Sequence, residues 1–279
     1  MKYLYTLLCL TFFTATTQAQ EEAPKYGWKT QMVFSLGLTQ ASFSNWTKGG
    51  ENSLAWQTTL NSRFTKDEAN HNWDNKAKFT FGQSKVGDTG TRKTADEVKL
   101  ETIFTLKRNL HLNPFVSATA LTQFTSGYDY SGTTKTKVSQ LLDPGYFTQS
   151  AGIGYSRSDE FKARLGATIK ETYTRSFPGY ADDPDTPAIE KTRIEGGITG
   201  VAELNRKVSE NITYTSELVV FSNVKAFNEI DVNWENLFSA KVAKYINVTL
   251  AVDLVYDRDT INEWQFREVL SAGFTYNLF

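Results

Sequence analysis

The sequence predicts an all-β fold, a transmembrane antiparallel up-and-down β-barrel of about twelve strands. Three observations lead there. The strand-like segments run mostly to about 10–14 residues, whereas a soluble strand averages about 5–6 and a tilted membrane strand needs about 9–11. Within them apolar and polar residues alternate, so each strand faces two different solvents. The connections alternate long and short, as in barrels with tight turns at one rim and longer loops at the other.

In order, the segments are 30–43, 53–66, 72–84, 97–107, 114–124, 146–155, 161–173, 192–204, 211–221, 230–242, 246–256 and 265–279. In the second, Leu54, Trp56, Thr58, Leu60 and Phe64 share one face, and Ala55, Gln57, Thr59, Asn61 and Arg63 the other. The eleventh sets Val248, Leu250, Val252, Leu254 and Tyr256 against Asn247, Thr249, Ala251 and Asp253. The fifth and sixth alternate weakly. In the last, Leu270, Ala272, Phe274, Tyr276 and Leu278 alternate with Ser271, Gly273, Thr275 and Asn277, while Phe279 falls one residue out of that register. This reads as a closing strand paired with the first, because an open edge in lipid leaves backbone groups unsatisfied.

Long connections are expected at 44–52, 85–96, 125–145, 174–191, 222–229 and 257–264, and short ones at 68–71, 108–113, 157–160, 205–210 and 243–245. An even strand count puts both termini on the short-turn, periplasmic side. Aromatic residues fall near segment ends, among them Trp28, Phe43, Trp46, Trp73, Phe161, Tyr173, Tyr245, Tyr256 and Trp264, as interfacial girdles require.

Residues 1–20 carry one Lys, an apolar run over 3–13 and a small-residue end, the layout of a secretory signal peptide, so the barrel is assigned to 21–279 and to the cell outer membrane. The single cysteine, Cys9, lies inside that run, so the exported chain must find its stability without disulfides. No stretch beyond it is apolar for the roughly 18 residues of a membrane helix. A net charge of −1 gives no support to nucleic-acid binding, and 14% aromatic residues with six prolines argue against disorder. No Pro/Gly/Ser-rich linker divides the chain. The alternative from a different class is a secreted soluble β-sandwich.

The stretch S-F-S-N-W-T-K-G-G-E-N-S over 42–53 carries the clearest signature. It resembles a domain-of-unknown-function family of outer-membrane barrel proteins of the Bacteroidetes, as do Phe124-Thr125-Ser126-Gly127-Tyr128-Asp129-Tyr130 and Leu141-Leu142-Asp143-Pro144-Gly145-Tyr146. The resemblance implies an exported barrel and supplies no catalytic or binding residue. Physically, Asn45, Trp46, Gly49 and Gly50 form a candidate loop motif: the glycines tolerate positive φ in a reversal between the first two strands, and the Trp is suited to the outer interface.

Enzyme chemistry finds little footing. The two histidines, His71 and His111, fall in short turns, away from the outer rim where a lipid hydrolase needs a Ser–His pair. No His/Cys cluster offers a transition-metal site, and the acidic loop 180–185 lacks the glycine and terminal glutamate of a recognised calcium loop. The expectation is therefore a non-enzymatic barrel with no cofactor. With apolar faces toward lipid, the inward charges of strands two to seven are mainly basic: Arg63, Lys76, Lys78, Lys99, Lys107, Lys162, Arg164 and Lys170, with Asp74, Glu97 and Glu101 as exceptions. In strands eight to eleven they are mainly acidic: Glu195, Glu203, Glu217, Asp231, Glu235 and Asp253, against Arg193 and Lys241. These candidate lumen charges either pair and close the interior or line a narrow hydrated pore. The partners expected are outer-membrane lipid and small polar solutes. The competing function is a barrel that binds a ligand or partner through its long third and fourth outer loops.

Overall fold

The computed structural model describes residues 26–44, 50–132, 134–156, 158, 160–183, 186–257 and 261–278. The signal-peptide assignment, Asn45, Trp46, Gly49 and the terminal Phe279 lie outside the described residues. The strands are β1 (Gly27–Ala41), β2 (Ser53–Asp67), β3 (His71–Val86), β4 (Thr91–Leu106), β5 (Leu112–Thr122), β6 (Gly127–Asp129), β7 (Thr136–Ser139), β8 (Gly145–Ser156), β9 (Phe161–Tyr173), β10 (Thr192–Lys207), β11 (Ile212–Asn223), β12 (Ala226–Lys241), β13 (Ile246–Asp257) and β14 (Ile261–Asn277). Twelve of them close an antiparallel barrel in the order β1-β14-β13-β12-β11-β10-β9-β8-β5-β4-β3-β2, and β6 and β7 form a small hairpin inside one loop. Every neighbouring pair follows a meander except the closing one, where Val33 to Leu38 face Asn277 to Ala272. Closure is tight: a Cβ on Gly273, which lies opposite Gly37, would sit 2.0 Å from the Leu36 carbonyl oxygen.

The outer face is apolar and the inner face is not. In β14 Leu270, Ala272, Phe274 and Tyr276 are exposed while Ser271, Gly273 and Thr275 are sheltered. Leu270 and Leu165 keep 65% and 62% of their surface accessible, values that make sense only against lipid. A ring of aromatics marks each rim, with Trp28 against Trp73 and Tyr245 against Tyr276 at the turn end and Tyr256 against Trp264 at the loop end.

Two outward-facing asparagines are satisfied within the sheet by the same arrangement. The Trp73 indole N–H donates to the Thr102 hydroxyl (2.8 Å), which donates to Asn75 Oδ1 (2.8 Å), and the Asn75 amide donates to the Phe64 carbonyl (3.3 Å). On β12, Trp234 donates to Ser216 (2.9 Å), Ser216 to Asn236 Oδ1 (3.0 Å), and the Asn236 amide to the Val252 carbonyl (3.3 Å). Both are Trp-x-Asn sequences whose middle residue, Asp74 or Glu235, points into the lumen and forms an ion pair.

Strand limits differ from the sequence reading at the loop end. The segments 85–96, 222–229 and 257–264 read as loops, yet β4 begins at Thr91, β12 at Ala226 and β14 at Ile261. The β3–β4 reversal is only 87–90, with Gly87 and Gly90 at φ +52° and +79°. Ladder segments beyond the apolar band are wet on both faces and need no alternation, so composition alone makes them look like loops. The connections 42–52, 123–144 and 174–191 are long.

Candidate functional site

Strand alternation aims β3, β4 and β9 to β12 charges at one level of the lumen. There Lys76 Nζ lies 3.0 Å from Glu101 and 3.1 Å from Glu203, and Arg164 Nη2 lies 3.0 Å and 2.9 Å from the same two carboxylates. Lys78 bridges Glu97 and Glu235, each at 3.0 Å, and Lys99 meets Glu217 at 2.7 Å and Glu235 at 3.8 Å. These contacts join β3 to β10 and β12, and β4 to β9 and β11. The pairs therefore cross the interior instead of running along one wall, and they form a continuous belt. Oxygens of Glu101, Glu203 and Glu217 approach within 4.8 Å of one another, with Lys76, Lys99 and Arg164 placed against them, so the cluster is neutralised by side chains and not by a metal ion.

Toward the loop end, Lys170 bridges Asp231 (2.5 Å) and Glu195 (3.8 Å), Arg193 lies 3.3 Å from Glu195, and Arg267 clamps Asp253 at 2.6 Å. Toward the turn end, Arg63 pairs with Asp74, and Lys107 with Asp67 at 2.6 Å. The acidic exceptions Asp74, Glu97 and Glu101 each sit against a basic neighbour. Lys162 enters no ion pair among the described residues. Arg267, which alternation places inward, is absent from the sequence-derived set; its signal was the same period-two rule applied to the closing strand.

Above the belt lies a cavity of about 630 Å³. Its floor is Lys99, Glu101, Arg164 and Glu217, one wall is hydroxylic (Ser117, Thr119, Thr148 and Ser150), and the facing wall holds Asp231, Asp253 and Arg267. Phe221, packed over Gly197 where a Cβ would come within 2.2 Å of its ring, adds an apolar surface. The vestibule thus combines both charge signs, hydroxyls and apolar side chains above a closed constriction.

Two aspartates organise the loops over this cavity. Asp96 accepts the amides of Phe124 (2.6 Å) and Thr125 (2.8 Å), which fixes the start of the third loop on β4. Asp143, 2% exposed, accepts the amides of Arg175 (2.8 Å) and Ser176 (2.9 Å), tying the third loop to the fourth. Burial opposes its ionisation, but the Arg175 and Ser176 amides hold the carboxyl below its ordinary value. In the acidic loop, Asp182 accepts the Glu190 amide (3.0 Å), and the Glu190 carboxylate accepts the Asp183 amide (3.2 Å). Of the candidate loop motif, Gly50 is described: its φ is +141° and a Cβ there would strike the Phe43 ring at 2.8 Å. His71 and His111 stack on Phe104 and Tyr155 at the turn end, away from the vestibule.

Residues 38–128 match the family model described as "Protein of unknown function (DUF3078)". No curated protein matches the chain. Among solved structures, the chain is similar to an outer membrane channel from Pseudomonas putida F1 (10% identity, 95% of this chain and 100% of that one, TM-score 0.43). It is also similar to the translocator domain of the autotransporter NalP from Neisseria meningitidis (9% identity, 92% and 90%, TM-score 0.39) and to the NanC porin (7% identity, 88% and 97%, TM-score 0.39).

Proposed function

We propose that the protein is a non-enzymatic outer-membrane barrel, exported by the segment 1–20, that acts as a narrow gated conduit for small polar solutes. The single observation that carries this reading is the stacking of a mixed polar cavity directly on a cross-lumen belt of ion pairs. A barrel built only for mechanical strength gains little from such a cavity, whereas a gate needs a vestibule that admits solute and a constriction that can part. Salt bridges suit the constriction, because breaking them exchanges protein contacts for water contacts at little net cost when water enters.

Single-channel conductance in a planar bilayer tests it. The wild type is expected to conduct weakly with little ion selectivity. Replacing Glu195, Glu203, Glu217 and Glu235 by Gln leaves the basic residues uncompensated, which opens the belt and favours anions. That preference should fade with salt as the Debye length falls from about 10 Å at 0.1 M to about 3 Å at 1 M. If both proteins insert and neither conducts, the barrel is structural. A second reading, ligand or partner binding through the third and fourth loops, is favoured by the Asp143 link that holds them as one unit.

A further inference from the structure

The closing seam is shorter than every other strand pairing in the wall. Pairing stops at Leu38 opposite Ala272; beyond it, among the described residues, Thr39 to Ala41 pair only with β2 and β14 pairs only with β13 up to Ile261. A split of this kind presents two backbone edges with donors and acceptors free, a costly surface in lipid and one that amphiphilic material covers readily.

The vestibule reaches this split. Gln265, Phe266 and Arg267, three consecutive residues of β14, all line the cavity, although alternation sends Phe266 outward. At the same height Phe221, Val232 and Val255 on β11, β12 and β13 line it too, so an apolar track crosses neighbouring strands and ends at Phe266, which is 64% exposed beside the unpaired edge. A conduit for polar solutes alone has no use for that track. Next to it stand polar groups on both sides of the wall: Arg267, clamped to Asp253 inside, and Glu268, exposed on the outward row between Phe266 and Leu270. The floor offers cations and carboxylates side by side. A cavity of about 630 Å³ suits a small ligand.

We propose that the vestibule is a binding site for a single-chain amphiphile with a zwitterionic head group, which exchanges with the surrounding leaflet through the split between β1 and β14. The head group meets the paired charges of the floor, the chain lies along Phe221, Val232, Val255 and Phe266, and Glu268 and Arg267 give the head a polar step across the wall. The site depends on the vestibule described above and not on conduction through the belt.

The test uses the full-length barrel in phosphatidylcholine vesicles and a single-chain phosphocholine with a fluorescent tail, followed by anisotropy at equilibrium and by stopped flow. The wild type should bind the probe, and Phe266→Asp, at a position exposed enough to leave folding intact, should weaken binding about tenfold. A staple between Gln40→Cys and Leu270→Cys, which continue the seam register, should slow exchange about tenfold and release it on reduction while leaving the equilibrium affinity unchanged. A short bifunctional thiol reagent serves in place of direct oxidation. The proposal is overturned if Phe266→Asp binds like the wild type, or if the verified staple exchanges the probe at the wild-type rate. A wild type that exchanges the probe but passes no ions defeats the conduit reading and leaves this one standing; ion conduction without probe binding does the reverse.

Discussion

The two faces of the same strands solve the problem of polar groups in opposite ways. On the lipid side Asn75 and Asn236 are saturated within three adjacent strands, each through a Trp, a hydroxyl and a backbone carbonyl; Asn236 also accepts from the Tyr214 hydroxyl at 2.6 Å and is only 7% exposed. On the lumen side Lys76, Lys78 and Lys99 reach carboxylates on strands more than 100 residues away in sequence. Hydrocarbon contains no alternative partner, so an outward polar group has to be quenched locally. Water in the lumen lets charges wait for distant partners, and their pairing then braces the barrel across its diameter.

Experiments that break this contrast fall in a clear order. Deleting residues 275–279 removes the Thr275 to Asn277 half of the closing seam, and the barrel should then fail to insert as a protease-resistant species; normal insertion would mean that the seam is not what closes it. Next, Arg164→Ala leaves Glu101 and Glu203 short of a partner in a site where the Arg164 side chain is 11% exposed. It should destabilise folding into lipid by about 3–5 kcal/mol, measured by urea titration, whereas an exposed pair would contribute under about 1.

The two-solvent rule itself is tested at adjacent positions. Leu250→Arg, on the lipid face, should cost about 2–4 kcal/mol if its row lies near the midplane, while Thr249→Arg, whose hydroxyl meets Ser271 on the inner face, should cost far less. Equal losses would contradict the register. Asn236→Leu probes the local quenching: the apolar residue belongs in lipid, yet it strands the Tyr214 and Ser216 hydroxyls, so a loss of about 1–2 kcal/mol is expected by the same titration. A more stable variant would show that the clasp is dispensable.

The smallest effect on the wall and the most local one is at Asp143. Its folded-state pKa is depressed from an ordinary 3.8, so its stabilisation is fully present above that value and is lost as pH falls through the lower folded value. Loop cleavage by an acid-active protease should therefore accelerate only at strongly acid pH in the wild type. In Asp143→Asn, which cannot accept both amides as a carboxylate does, cleavage should be fast at every pH while the barrel itself stays folded. Unchanged cleavage in that variant would separate the two loops.

Period two carried over long segments was enough to fix the class of fold, the strand number, the meander and the face that each residue of β2, β13 and β14 presents, because alternation is a local property forced by two solvents. Hairpin ends were not legible at 85–96 or 257–264, where both faces of the ladder are wet and the apolar signal vanishes. Which charges meet was equally hidden. Sequence sorted Lys76 and Glu203 onto inward rows, but strand tilt and stagger around the closed ring decide that those two rows face each other at one height. The Asp143 link depends on amides more than 30 residues away, and the split above Leu38 depends on where the last strand slides past the first. Such facts belong to closure of the whole sheet, a geometric condition on all twelve strands together that no single segment can express.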